Sequence, residues 1–229
     1  MKIEEIPLAP ASLRRGGSQN RDDAVFLSFA RSSARILIER CSLGGNSSLL
    51  DIGCGPARLL YGILGELGEI RIYVGVDVDK RAIDWLKANV QPVVLFSRFE
   101  HLSFFNKRYN KGPDATSAAP AIPGENFDVV ALLSVFSHMW FKDIELYLKV
   151  IGSKLSARGS CYLTMFVEDD VPLNEENPEG YFGPWKGNLH CVRINRQSFE
   201  EAVARAGLKV RDFKHQAYNR GQSIYILQR

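Results

Sequence analysis

Residues 49–58 read Leu49-Leu-Asp-Ile-Gly-Cys-Gly-Pro-Ala-Arg58. The stretch starts as an apolar strand and turns abruptly into two glycines, with an acid, Asp51, beside the bend. Glycine at 53 and 55 allows a backbone turn that side chains would obstruct. Pro56 suits the first turn of a helix, where its missing N–H costs nothing. A strand, a glycine turn and a helix in that order commonly form a ligand-binding corner of an α/β sheet.

Outward from this corner, strands and helices alternate. Apolar or β-branched runs predict strands at 48–52, 70–76, 93–96, 127–133 and 161–167, with a final pair near 208–213 and 223–227. Helices are expected over 22–41, 56–67, 79–90, 141–155 and 195–206. The helix at 141 rests on the spacing of Phe141, Ile144, Leu148, Ile151 and Leu155, and the one at 195 on Asn195 as its cap. The succession predicts a doubly wound α/β fold with a mostly parallel sheet and helices on both faces. Two stretches break the rhythm. Residues 106–126 read as a loop-like insertion, and residues 168–190, acidic then aromatic, as a cover over the C-terminal edge of the sheet. The first twenty residues read as a polar arm or lid.

The chain has 229 residues, 45% of them hydrophobic, enough for one large domain. A formal net charge of +3, with the basic residues scattered, gives no nucleic-acid footprint. Cys41, Cys54, Cys161 and Cys191 form no CxxC pair, so neither a zinc site nor a disulfide framework is expected, and no metal is assigned. The N-terminus has no signal-peptide h-region, and no apolar run is long enough to span a membrane. The chain therefore reads as soluble and cytoplasmic, with no membrane partner and an oligomeric state left open.

The second expected strand ends in Gly75-Val-Asp77, an acid about twenty residues beyond the glycines, where a carboxylate can accept both hydroxyls of a ribose. A nucleoside cofactor follows. A dinucleotide fits poorly, because Arg58 occupies the third glycine position of G-x-G-x-x-G and Asp51 would repel a diphosphate. An acid beside the turn suits a ligand carrying an ammonium and a sulfonium, which describes S-adenosylmethionine.

"LLDIGCGPARLL", "YVGVDVDKRAIDWL", "FDVVALLSVFSHM" and "YLKVIGSKLSARGSCYLTMF" together resemble the ordered motifs of the class I S-adenosylmethionine-dependent methyltransferases. Asn106-Lys-Arg-Tyr-Asn110 is similar to a small bacterial subgroup with an NxxYN segment before the fourth strand. The resemblance implies a Rossmann-like, seven-stranded sheet with an antiparallel last strand, forming one domain over 1–229. Within it, 1–44 is an N-terminal arm and helix, 45–168 the cofactor-binding core, 168–190 the cover, and 191–229 a helix with the closing strand pair. By position, Asp51, Gly53, Cys54 and Gly55 would hold the methionine part, Asp77 the ribose and Val78 the adenine ring. Ser103, or Glu100 in its place, would meet the adenine amino group. Leu133 and Ser134 would line the pocket near the reactive methyl.

His138, just past the fourth strand, is the candidate general base; a loop-ordering or cofactor-touching histidine is the alternative. Tyr181, Phe182, Trp185 and His190 are candidates for the acceptor side, and Arg14, Arg15 and Arg31 for the cofactor carboxylate. The expected activity is methyl transfer to a small-molecule acceptor, with a sugar or natural-product hydroxyl preferred. The alternatives are a nicotinamide oxidoreductase and a non-catalytic S-adenosylmethionine-binding module.

Overall fold

The computed structural model describes residues 5–15, 17–112 and 115–229. Nine strands and five helices organise them: β1 Ser48–Ile52, α2 Arg58–Leu67, β2 Ile72–Asp77, α3 Lys80–Asn89, β3 Ser97–His101, β4 Phe127–Leu132, α4 Phe141–Lys154, β5 Leu155–Glu168, β6 Asn174–Glu176, β7 Val192–Asn195, α5 Arg196–Arg205, β8 Lys209–Tyr218 and β9 Gln222–Gln228, with α1 Asp23–Cys41 ahead of the first strand. Strands β3, β2, β1, β4 and β5 run parallel in that spatial order. β9 then pairs antiparallel with β5, and β8 with β9. These seven strands are the expected sheet. The other two, β6 and β7, come from and just after the cover segment: β7 pairs with residues 166–168 of β5, and β6 with β7.

Local chemistry accounts for the elements. Asp22 caps α1 by accepting the Val25 N–H at 2.9 Å, and Phe26, Ala30, Ala34, Leu37 and Cys41 make its buried stripe. Asn195 caps α5 through the Ser198 N–H. Every residue of β1 is buried, as in a strand covered on both faces. Alternation along β1 sends Leu50 and Ile52 into the core shared with α4 and α5, and Leu49 into the core shared with α1 and α2. Burying one such leucine stabilises the fold by roughly 1.5–3 kcal/mol. The closest helix contact is at Gly62, where a Cβ would stand 2.0 Å from Ala30 O, so α1 and α2 touch backbone to backbone.

Two expectations are corrected. The apolar run at 93–96 is not a strand: Val90, Val93 and Val94 close hydrogen-bonded turns, and the strand is the more polar Ser97–His101 after it. An edge strand half in water needs only every second residue apolar, and the denser run is used to anchor the turn after α3. The arm is not merely polar, because Ile6 and Ala9 are buried and the Tyr61 hydroxyl donates to Pro7 O at 2.5 Å. Residues 1–4 and 16 of that expected arm, and 113–114 of the expected insertion, lie outside the described residues.

After β1 the chain moves to β2 and β3 on one side and later returns to β4 on the other. The strand order therefore reverses at β1, and a crevice is left beyond the carboxyl ends there.

Candidate functional site

A cavity lies in that crevice. Gly53 and Gly55 form its floor with φ of 75° and 52°. A Cβ on Gly53 would sit 2.4 Å from Val135 Cγ2, so only glycine lets the turn after β1 pass the loop after β4. The turn is tied to β2 twice over. Gly53 and Cys54 N–H both donate to Val76 O, and Gly55 N–H donates to Asp77 Oδ2 at 2.7 Å.

Asp77 Oδ1 accepts the Asp79 N–H at 2.7 Å. Burial raises the Asp77 pKa, and the bonds from Asp79 and Gly55 oppose that rise. Each oxygen has one backbone partner, which leaves acceptor capacity on both facing the cavity. Val78, Leu102, Phe104 and Leu133 supply apolar wall. This fits an adenosine: an acid with spare lone pairs, a flat apolar slot, and a bend without side chains for the amino-acid tail. Arg15 lies over the mouth, paired with Asp79 (2.5 Å) and 5.2 Å from the Tyr109 ring.

Ser134, two residues past β4, lies in the left-handed region, φ 60°, an uncommon conformation for serine. A ring of three side chains holds it there. Ser134 N–H donates to Thr164 Oγ1 (2.9 Å), Thr164 Oγ1 to Gln222 Oε1 (2.9 Å), and Gln222 Nε2 to Ser134 Oγ (3.0 Å). β4, β5 and β9 are thus pinned together at the cavity wall.

His138 closes the short 3-10 turn Phe136–His138. Its Nδ1 lies 2.9 Å from Leu189 O, which can only accept, so Nδ1 carries the proton and the neutral ring keeps its lone pair on Nε2. Burial pushes its pKa down to about 4, with Arg108 adding to the fall. The Asn106-to-Asn110 segment explains itself here. Asn106 Nδ2 donates to His138 O at 3.0 Å, Asn106 Oδ1 accepts the Arg108 and Tyr109 N–H groups, and the Tyr109 ring meets the His138 ring edge-on at 5.5 Å.

A second cavity adjoins the first and shares Arg15, Tyr109, Ser134 and His138 with it. Trp185, His190 and Phe166 also line it, the Trp185 ring packing on Phe166 at 5.5 Å. Tyr181 and Phe182, expected beside Trp185, are turned elsewhere: the Tyr181 hydroxyl donates to Glu168 Oε1, and Phe182 is largely exposed.

Gly53, Gly55, Asp77, Val78, Leu133, Ser134 and His138 thus meet in one cavity, whereas Asp51, Cys54, Glu100, Ser103 and Arg14 do not. Asp51 follows Leu49 onto the opposite face of β1, where it is buried and accepts the Tyr73 hydroxyl at 2.6 Å. Cys54 is buried on that same side. Glu100 points outward to Lys87 and Arg98. Ser103 is exposed, and its neighbours Leu102 and Phe104 turn inward instead. Arg14 binds Asp23 and Ala9 O away from the cavity. Sequence reasoning did not single out Leu13, Asp79, Ala82 and Tyr147, all lining residues. Asp79 alone carried a signal, as the acid two places beyond Asp77.

A family model described as a methyltransferase domain matches residues 26–212. Among solved structures, the chain is similar to magnesium protoporphyrin IX methyltransferase of Synechocystis PCC 6803, solved with bound S-adenosylhomocysteine (14% identity, TM-score 0.60, covering 94% of this chain and 89% of that one). It is similar to the 1,6-didemethyltoxoflavin N1-methyltransferase of Burkholderia thailandensis (15%, 0.58, 92% and 82%). It is also similar to the cyclase SpnF (12%, 0.60, 87% and 81%). At such identities the structural likenesses speak for the fold, and a cyclase among them shows that this fold does not dictate one reaction. The family match covers most of the chain: this protein belongs to the class I S-adenosylmethionine-dependent methyltransferases.

Proposed function

We propose that this protein transfers a methyl group to a small-molecule acceptor, at a hydroxyl oxygen in preference to nitrogen. One observation carries the reading: the glycine turn, Asp77 and His138 face one cavity, and the second cavity opens onto it at Ser134 and His138. When bound, S-adenosylmethionine supplies an electrophilic methyl group on a sulfonium, with a neutral thioether as leaving group.

The chain's own contribution is binding, alignment and dryness. Asp77 accepts the ribose hydroxyls with the lone pairs its backbone partners leave free, and Gly53 and Gly55 admit the amino-acid tail. The Ser134–Thr164–Gln222 ring fixes the wall where the cavities meet, which supports in-line alignment of acceptor and methyl. Trp185, Phe166 and Tyr109 set aromatic rings on the acceptor side that displace water there. His138 takes the acceptor proton on Nε2. With a pKa near 4 it is a weak base, but it is unprotonated throughout the neutral range. An oxygen forming its bond to carbon becomes strongly acidic, so a weak base that is always available suffices.

Calorimetry with S-adenosylhomocysteine and with NAD tests the cofactor, and labelled methyl transfer across an acceptor panel tests the acceptor atom. Binding of the first ligand alone, with O-methyl products, is expected. NAD binding or predominantly N-methyl products would overturn the reading. In single turnover, His138→Ala is expected to slow transfer to a hydroxyl by roughly a hundredfold or more; an unchanged rate removes the base role.

A further inference from the structure

The second cavity has a charge pattern that methyl transfer by itself does not require. Arg108 and Arg220 line it, with Arg15 at the wall shared with the first cavity, and no Asp or Glu is among its lining residues. Arg15 already has a carboxylate partner in Asp79. Arg108 and Arg220 have none among the described residues.

Arg108 is held in place but not satisfied. Its Nε donates to the Tyr109 hydroxyl at 3.0 Å and its Nη1 to Asn188 O at 3.2 Å, leaving Nη2 with no hydrogen bond to the described residues. The Arg220 side chain makes no hydrogen bond to them, and its guanidinium lies 5.7 Å from the Trp185 ring centre. It sits in the turn between β8 and β9 at φ 55°, a conformation a long side chain rarely adopts. Its neighbour Gly221 packs so closely on Phe182 that a Cβ would come within 2.4 Å of that ring. A strained arginine held at a cavity mouth by a packed turn is a placement that function, rather than stability, would retain.

Resting on the proposed methyl transfer, we propose that the acceptor is a planar organic anion. Its ring lies among Trp185, Phe166 and Tyr109, its acidic group is held by Arg108 and Arg220, and its reacting hydroxyl is turned toward Ser134 and His138. Guanidinium groups pair with carboxylates and phosphates alike, and two arginines lining one concave cavity, rather than a long basic stripe, fit a small molecule. The reaction balances as acceptor hydroxyl plus sulfonium donor giving methyl ether, thioether and a proton. The anionic group is not the nucleophile.

The test is ligand-observed NMR titration of matched aromatic probes: 2-naphthoate, 2-naphthyl phosphate and 2-naphthamide, and anthranilate with its amide. Each is run on the wild-type protein with and without S-adenosylhomocysteine. Anions are expected to bind at least about tenfold tighter than their amides, with the advantage shrinking as salt rises. The Arg108→Gln/Arg220→Gln double variant should lose that advantage while keeping its affinity for S-adenosylhomocysteine, and Arg108→Lys/Arg220→Lys should recover part of it. The preferred anion, carboxylate or phosphate, names the source. Amides binding as well as anions, no anion binding, or an unchanged preference in the Gln variant overturns the proposal. Failure of the wild type to bind S-adenosylhomocysteine overturns the methyltransfer reading instead, and the cofactor-free arm separates the two.

Discussion

Against β1 and β2 the first cavity presents carboxylates, those of Asp77 and Asp79, among apolar walls. Toward the loop at 104–112 and the β8–β9 turn, the second presents the guanidinium groups of Arg108 and Arg220, the His190 imidazole and aromatic rings. Both lie within one fold and meet at Ser134 and His138. The difference teaches that the two sides are sorted by charge: the acidic side suits a ligand with cationic groups, the basic side an anion. Even the histidines register it. Burial lowers the His190 pKa first, and Arg108 and Arg220 lower it further.

The strongest way to break the comparison is at the floor of the acidic side. Gly53→Ala must place a Cβ against Val135 in a left-handed backbone, at a cost of about 1–3 kcal/mol for the conformation alone. S-adenosylhomocysteine binding is expected to vanish in calorimetry, while probe binding in the second cavity survives. Next in size is the ring at the junction. Thr164→Val keeps the volume but leaves the Ser134 N–H without its partner, and should lower stability by about 1–3 kcal/mol in denaturant titration.

A pH effect comes third. Burial pushes Asp51 up to about 7 from an ordinary 3.8, so between those values the native state holds a proton that the unfolded chain has released. Stability therefore falls as pH rises through that window, by about 1.4 kcal/mol per unit at the limit, and levels off above pH 7. Asp51→Asn should flatten that slope in thermal melts recorded from pH 4 to 8. The smallest effect is expected for Glu100→Gln and Ser103→Ala, which should leave S-adenosylhomocysteine affinity unchanged. The exposed pairs of Glu100 with Lys87 and Arg98 are worth about 0–1 kcal/mol.

The acidic side was legible in the sequence because its residues sit at strand ends next to local signals: Gly53 and Gly55 in a turn, Asp77 closing a β-branched run, Leu133 and Ser134 after "FDVVAL". Where the structure departs from expectation there, it departs in face and register. Strand alternation turns Asp51 away from Ile52's side, and Glu100 and Ser103 follow a third strand that lies at 97–101 rather than 93–96. The basic side carried no local signal. Arg108 and Arg220 are 112 positions apart in an otherwise unremarkable charge balance, and only the return of β9 beside β5 brings their loops together. The two cover strands were equally hidden, since Asn174–Glu176 has no apolar pattern and pairs only because β7 offers it an edge.

The claim beneath both cavities is that Asp77 grips the sugar of an adenosyl ligand. Calorimetric titration of S-adenosylhomocysteine into the wild type, Asp77→Ala and Arg108→Gln tests it most directly, with melting curves confirming that each is folded. Losing two hydrogen bonds to a charged acceptor should weaken Asp77→Ala by roughly a hundredfold or more while Arg108→Gln binds like the wild type. Equal affinity in all three, or loss in Arg108→Gln alone, would contradict it.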